Sequence, residues 1–122
     1  MYRFHHDLNL DSIVNDHLVQ IRQGIADVQL VFNSGTIIVV ESRIEFKNET
    51  VNLSSWNSVS KWSSTAFQQL LNCEIKSYGI LDPKTLQLNF EDNLSLKIYD
   101  DSDQFESVTI YLFNDQVGPI TI

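Results

Sequence analysis

Two stretches of the chain show the same alternation of apolar and polar positions. The first runs through Val28-Gln29-Leu30-Val31-Phe32 and the second through Leu86-Gln87-Leu88-Asn89-Phe90. An alternation with a period of two places successive side chains on opposite faces of an extended strand, so that one face is apolar. Each stretch is followed by a second apolar run, at residues 36–41 and 94–99. The pattern therefore predicts two β-hairpins.

The loop of each hairpin decides which residues face each other. A three-residue loop keeps the apolar face continuous, whereas a two-residue loop would place Phe90 opposite Ser95. The last residue of such a loop commonly adopts the left-handed conformation, which Gly35 and Asn93 tolerate. The predicted pairs are Phe32 with Thr36, Leu30 with Ile38 and Val28 with Val40 in the first hairpin, and Phe90 with Leu94 and Leu88 with Leu96 in the second.

Additional strands extend each hairpin into a three-stranded meander. Residues 17–23 precede the first hairpin and residues 73–78 precede the second. A longer entry turn is expected over residues 79–83, because Pro83 cannot donate to a β-ladder and Gly79 accepts positive φ. Two more strands are predicted near the end of the chain, at residues 106–113 and 120–122.

The segment between the meanders is the best candidate for a helix. Residues 63–72 begin with serines that can cap a helix. Its apolar side chains at helical spacing are Ala66, Phe67, Leu70 and Leu71. Residues 11–14 predict a short turn or helix near the start. We therefore predict an α+β fold with a single domain over residues 1–122, in which one main helix packs on a mostly antiparallel sheet.

Charge and cysteine content narrow the partners and the compartment. The formal charge of −8 opposes binding to nucleic acid or to an anionic membrane and favours a basic partner. The lone Cys73 cannot form an internal disulfide, and the first residues lack the apolar run of a signal peptide. No apolar segment has the roughly 20 residues that a membrane-spanning helix needs. We predict a cytoplasmic protein.

Few residues suggest catalysis or metal binding. Residues 5–7, His-His-Asp, offer metal ligands, but adjacent histidines on an extended strand point to opposite faces. His17 is a conceivable general base beside Ser12 or Asp16, and Cys73 is expected to be an inert buried thiol. No phosphate-binding loop, paired-cysteine motif or nucleophile elbow is present in the sequence. We predict no enzyme, no cofactor and no metal site.

Trp56 and Trp62 allow two interpretations. Tryptophan is enriched in binding hot spots, but it also closes cores where a helix meets a sheet. We favour core closure. The alternative is a ligand pocket between sheet and helix, which would make the chain a small-ligand-binding or regulatory sensor domain. A minor hydrolase or transferase activity would require His17 and a carboxylate to converge in a cleft.

Acidic residues concentrate in the second half of the chain. From residue 74 onward nine acidic residues face three lysines, whereas the first 73 residues carry seven acidic and five basic residues. The density peaks at residues 100–106, which lack the ligand order of an EF-hand calcium loop. An acidic loop is most often only a solvated loop, whereas a docking surface for a cationic protein is the more specific interpretation and the one that we adopt. Its predicted residues are Glu91, Asp92, Tyr99, Asp100, Asp101, Asp103, Phe105 and Glu106.

Several segments resemble a family of small bacterial domains of unassigned function. They are Gln20-Ile21-Arg22-Gln23-Gly24, the hairpin end Glu41-Ser42, residues 70–75 and residues 103–107. In that family a strand-turn-strand block leads to a tyrosine-glutamate-serine-like motif. Here Phe105 stands where the tyrosine usually does, and Asn15-Asp16 replaces an early glycine. The resemblance covers residues 10–113 and implies no catalytic residue.

By size and acidity the chain is also similar in class to the immunity proteins of contact-dependent growth inhibition and other polymorphic toxin systems. That resemblance implies a cytoplasmic toxin inhibitor that acts by protein–protein interaction. We therefore form the hypothesis that this chain neutralises a cognate basic toxin, a nuclease, through its acidic surface. The sequence leaves the toxin, the inhibited surface and the oligomeric state open.

Overall fold

The alternating segments form parts of two antiparallel sheets in a computed structural model of the protein, which describes residues 4, 7–100 and 107–112 and the backbone of residues 120–121. The strands are β1 (Leu18–Gln23), β2 (Val28–Phe32), β3 (Ile37–Val40), β4 (Arg43–Asn48), β5 (Val51–Asn57), β6 (Ile75–Asp82), β7 (Thr85–Phe90), β8 (Leu94–Tyr99), β9 (Val108–Tyr111) and β10 (Ile120–Thr121). The first sheet has the order β1-β2-β3-β9-β10, and the second has the order β5-β4-β8-β7-β6. The prediction of a mostly antiparallel β-sheet is confirmed.

Both hairpins have the predicted register. Leu30 faces Ile38 in the first hairpin, and Leu88 faces Leu96 in the second. The last loop residues adopt positive φ, 101° at Gly35 and 64° at Asn93. Loop length and the left-handed residue together therefore fixed the pairing, as the alternation required.

The predicted main helix over residues 63–72 is wrong. The segment Thr65–Leu70 is a 3₁₀ helix of six residues, capped by the Ser64 side chain, which accepts a hydrogen bond from the backbone N–H of Ala66. Only Phe67 and Leu70 are buried on it, three positions apart, which suits the three-residue turn of a 3₁₀ helix. The chain leaves the turn in an extended conformation at Leu71. The part of the chain that the structure describes has almost no helix, so the fold is β rather than α+β.

The sequence pattern did not predict two of the strands. β4 and β5 pair with each other, and β4 also pairs with β8, so the second sheet extends beyond the predicted meander. β4 carries a clear alternation, with Ile44 and Phe46 buried. β5 is rich in serine and asparagine, which are poor strand formers, and its buried Ser54 donates a hydrogen bond to the backbone oxygen of Ser64 at 3.0 Å. β9 and β10 extend the first sheet in the same way, so neither sheet is a meander alone.

The predicted long turn over residues 79–83 is also wrong. β6 continues through Gly79, which faces Gln87, and ends at Asp82. The turn consists of Pro83 and Lys84, where the missing N–H of proline costs no ladder hydrogen bond. A further 3₁₀ turn at Asp11–Ile13 lies where the short N-terminal element was expected.

The inner faces of both sheets contribute to one hydrophobic core. Its largest fully buried side chains are Trp56, Phe32 and Phe46. Sheets that pack face to face in this way lie about 10 Å apart and fill the gap with interdigitated side chains. Within the described residues no helix combines the length and the apolar character that crossing a bilayer requires.

Backbone hydrogen bonds join the two sheets along one side. The N–H of Leu18, at the start of β1, donates to the oxygen of Cys73 at 3.0 Å. The N–H of Ile75, at the start of β6, donates to the oxygen of Asp16 at 2.8 Å, and its own oxygen accepts from Asn15 at 2.8 Å. The start of the first sheet therefore lies directly beside the start of the last strand of the second.

Candidate functional site

The structure separates the predicted acidic surface into parts. Glu91 and Asp92 occupy the turn between β7 and β8, whereas Tyr99 and Asp100 lie at the other end of β8. A strand of six residues spans about 20 Å at roughly 3.3 Å per residue. The two groups therefore cannot form one compact cluster. The remaining predicted residues, Asp101, Asp103, Phe105 and Glu106, lie outside the described part of the chain.

Asp100 was predicted to lie on the acidic surface, but the structure buries it. Its exposed fraction is 0%, and its carboxylate accepts a hydrogen bond from the hydroxyl of Ser107. Its N–H donates to the oxygen of Lys84 at 2.8 Å. The reason is the alternation of β8, because Asp100 continues the inward-facing series of Leu96 and Ile98 by one more step. Asp100 is thus a buried polar residue of the fold.

Tyr99 lies on the outer face of the second sheet, within a small cluster on β4 and β8. The guanidinium of Arg43 is 3.7 Å from the centre of the Tyr99 ring. The Tyr99 hydroxyl donates to the carboxylate of Glu45. Burial and the neighbouring Glu45 raise the pKa of Tyr99 to about 12. Its phenol is therefore neutral at physiological pH and is held in place by two neighbours.

Two acids that the sequence reasoning did not single out lie beside Glu91 and Asp92. The N–H of Glu49, in the β4–β5 turn, donates to the oxygen of Asn93 at 3.0 Å. The N–H of Glu91 donates to the oxygen of Glu74 at 3.0 Å. We call Glu49, Glu74, Glu91 and Asp92 the acidic end. Without the pairing of β4 with β8, nothing in the sequence would place Glu49 next to Asn93.

The acidic end presents its carboxylates from short turns. Glu49 and Asp92 are exposed, and Glu74 and Glu91 are half-buried. Glu49 and Asp92 adopt φ of 54° and 61°, and Asn93 completes the second turn at 64°. Glu49, Glu91 and Asp92 lie in turns that join paired strands, and Glu74 lies in the β-bridge with His17 directly before β6.

The charges of this region shift the pKa values of neighbouring groups. The pKa of the Cys73 thiol is raised, first by burial and then by the charges of Glu91 and Asp92. The hydrogen bond from Lys76, at 2.9 Å, lowers the pKa of Glu74 and partly compensates its charge. Among the described residues Glu91 and Asp92 have no comparable ion pair. Asp92, which is exposed, is therefore more accessible to a partner than Glu74.

His17 and Cys73 also lie near the acidic end. The His17 Nε2 is 3.9 Å from the Glu74 Oε1, too far for a hydrogen bond, and the histidine side chain is 47% exposed. Cys73 is buried and its Sγ donates to the oxygen of Gln69 at 3.1 Å. Asp16 accepts from the N–H of Ser34 at 3.1 Å, which is a turn contact. Over the described residues no group of three or more His, Cys, Asp or Glu side chains could hold a metal ion.

The two tryptophans serve packing. Trp56 is 1% exposed in the core, and Trp62 stacks on Phe67 with ring centres 4.4 Å apart. An open groove of about 450 Å³ lies elsewhere, beside β6, and is lined by residues such as Leu8 and Tyr78. These positions favour the core-closure interpretation of Trp56 and Trp62.

Comparison of the chain with protein-family models, with curated proteins and with solved structures finds no match.

Proposed function

We propose that the protein binds a basic partner protein through its acidic end and acts as an immunity protein for a cognate toxin. The observation that carries the proposal is the proximity of Glu49, Glu91 and Asp92, on two adjoining turns, to Glu74, which lies directly before β6. Among the described residues only Glu74 of these four forms a salt bridge with a lysine, Lys76, whose charge also interacts with Glu91. A nuclease toxin would fit, because its lysines and arginines bind phosphates and would meet these carboxylates instead.

A β-scaffold suits this role for a physical reason. The acidic turns join paired strands, so their carboxylates keep their spacing before the partner arrives. Charges fixed in advance speed the encounter and bias the choice of partner more than they raise the final affinity. Tyr99, Asp101, Asp103, Phe105 and Glu106 stay in the proposal as a second contact region, and Asp100 is removed from it because it is buried.

The test begins with the protein encoded by the upstream neighbouring gene. Its purified toxin domain is mixed with this protein, and the association rate is followed by stopped-flow fluorescence over a range of salt. We expect the double change Glu91→Gln, Asp92→Asn to slow association by about threefold to tenfold at low salt and to flatten the salt dependence. Asn at position 92 tolerates the left-handed conformation, so the turn is retained.

Asp82→Asn is the matched control. Asp82 is exposed at the end of β6, where it pairs with the first residue of β7, far from the β7–β8 turn. Asn at this position retains the oxygen that accepts from the N–H of Lys84 at 2.8 Å. This variant should associate nearly at the wild-type rate. Because Asp82→Asn removes one charge and the double change removes two, slowing by Asp82→Asn of half the size on a logarithmic scale would mean that only net charge matters and that the acidic end is not the contact surface. A neighbouring gene for a metabolic enzyme, with no toxin bound, would contradict the immunity role.

A further inference from the structure

The outer face of the first sheet is apolar at its centre. Along β2, β3 and β9 the core residues alternate with the side chains of the opposite face. On that opposite face Val31 is paired with Ile37, and Ile37 with Tyr111, in one row across three strands. Val39 lies in the next row, between Gln29 and Thr109. We call Val31, Ile37, Val39 and Tyr111 the apolar face.

These side chains are accessible and do not belong to the core. Tyr111 is 47% exposed, and Val19, in the irregular part of the neighbouring β1, is 41% exposed. Val31, Ile37 and Val39 are half-buried but are not among the hydrophobic residues that pack against the core. The hydrophobic core does not require them to be apolar.

The second sheet shows what an outer face of this fold looks like without such a surface. Its strands also alternate, but the outward positions of its two central rows are polar. One row contains Glu45, Lys97 and Gln87, and the next contains Lys47, Ser95, Asn89 and Ser77. Both sheets cover the same core, so packing alone does not explain the difference. A contiguous, partly exposed apolar surface at the centre of a sheet's outer face marks an interaction site.

The charges around the apolar face are mainly negative. Asp27 lies in the β1–β2 turn, Glu41 follows β3, and Asp16 lies beside the β2–β3 turn through its bond to Ser34. The basic residues beside this face in the described chain are Arg22, on β1, and Lys61, whose ammonium donates to the backbone oxygen of Ile25 in the β1–β2 turn, so acidic residues outnumber basic ones by three to two. An apolar centre with a charged rim has the composition of a protein–protein interface. The sign of the rim selects a partner of opposite charge.

We infer that the apolar face docks a basic protein surface whose centre is apolar and whose edge carries lysine and arginine. The inference rests on the proposed function and adds to it, because the acidic end alone would give steering without a desolvated centre. A second copy of this chain is the wrong occupant on electrostatic grounds. Two copies packed through this face would bring together the acidic rims of chains that each carry a charge of −8.

The test uses two labelled peptides of equal positive charge, an amphipathic peptide of leucine and lysine and a peptide in which serine replaces every leucine. Fluorescence anisotropy at low and high salt gives both affinities. We expect the leucine peptide to bind about tenfold more tightly to the wild-type protein. The double change Ile37→Thr, Val39→Thr should abolish that advantage and leave the binding of the serine peptide unchanged, since threonine retains the β-branched shape.

Val51→Thr is the matched control, because Val51 is 60% exposed on β5 of the other sheet. It should retain the tenfold advantage. Should the double variant fail to fold, Tyr111→Thr provides the same comparison at a side chain that is 47% exposed.

The possible failures of the inference and of the proposed function can be told apart. Salt-dependent binding of both peptides with equal affinity would overturn the inference and leave the proposed function intact. No binding of either peptide at low salt would count against both. A dimer in light scattering that Tyr111→Thr dissociates would show that a second copy occupies the face, and would also overturn the inference.

Discussion

The indole of Trp56 allows packing and hydrogen bonding to be separated by mutation. Trp56 is the largest fully buried side chain, and its Nε1–H has no hydrogen-bond partner among the described residues. Trp56→Ala should lower the free energy of unfolding by about 3–5 kcal/mol, because it leaves a large cavity. Trp56→Phe also removes volume, but it eliminates a buried donor that costs about 1–3 kcal/mol when unsatisfied.

The two effects of Trp56→Phe have opposite signs and similar size. Loss of part of the ring system costs about 1–3 kcal/mol, and loss of the unpaired N–H returns a comparable amount. We expect a net change within about 1 kcal/mol of zero. Phe46→Leu, on the neighbouring β4, is the control, since Phe46 is fully buried and carries no polar atom. It should cost about 1–2 kcal/mol without any compensation.

Urea unfolding followed by far-ultraviolet circular dichroism measures these differences, because that signal comes mainly from the backbone and not from the tryptophan that is replaced. Trp56→Phe should have a midpoint close to that of the wild type, and Phe46→Leu should have a lower one. The reasoning would be refuted if Trp56→Phe were as destabilising as Trp56→Ala. Packing of the indole would then outweigh the unsatisfied donor.

Three further outcomes follow from the local chemistry. Cys73 should react slowly with iodoacetamide near neutral pH because its pKa is raised, and Glu91→Gln with Asp92→Asn should accelerate alkylation only in part, since burial is the larger cause; an unchanged rate would separate these acids from the thiol. Tyr99 should ionise near pH 12 in an ultraviolet titration, so its contribution to stability is complete below pH 10 and is lost as the pH rises through about 12; in Tyr99→Phe that dependence should disappear. Gly35→Val should lower the free energy of unfolding by about 1–2 kcal/mol in thermal melts, because its φ of 101° strains a β-branched residue, whereas Asn93→Gly should be nearly neutral.

The hairpins could be predicted because short-range rules determine them. The apolar alternation fixed the faces, and the left-handed residues Gly35 and Asn93 fixed the loop length. The distribution of strands between two sheets could not be predicted in the same way, because β3 pairs with β9 across a long intervening segment. Glu49 could not be assigned to the acidic end for the same reason, because its position beside Asn93 depends on the long-range pairing of β4 with β8.

The predictions of the main helix and of Asp100 on the acidic surface were wrong for a related reason. Residues 63–72 have helical spacing, but a segment of ten residues is too short to be helical without tertiary support, and here only Phe67 and Leu70 reach the core. Asp100 was assigned to a loop because of its charge, although it extends the alternation of β8. The apolar face was visible in the sequence, since residues 37–40 are apolar at every position.

The hydrogen bonds between the starts of β1 and β6 fix the position of one sheet relative to the other along one edge. These hydrogen bonds, from Leu18 to Cys73 and from Ile75 to Asp16, connect the two sheets directly along one edge. The sheets therefore cannot shear past each other there without breaking main-chain bonds. A molecule that contacts both Glu74 on one sheet and Asp16 beside the other would meet two groups at a fixed separation. This protein would therefore lose little conformational entropy on binding it.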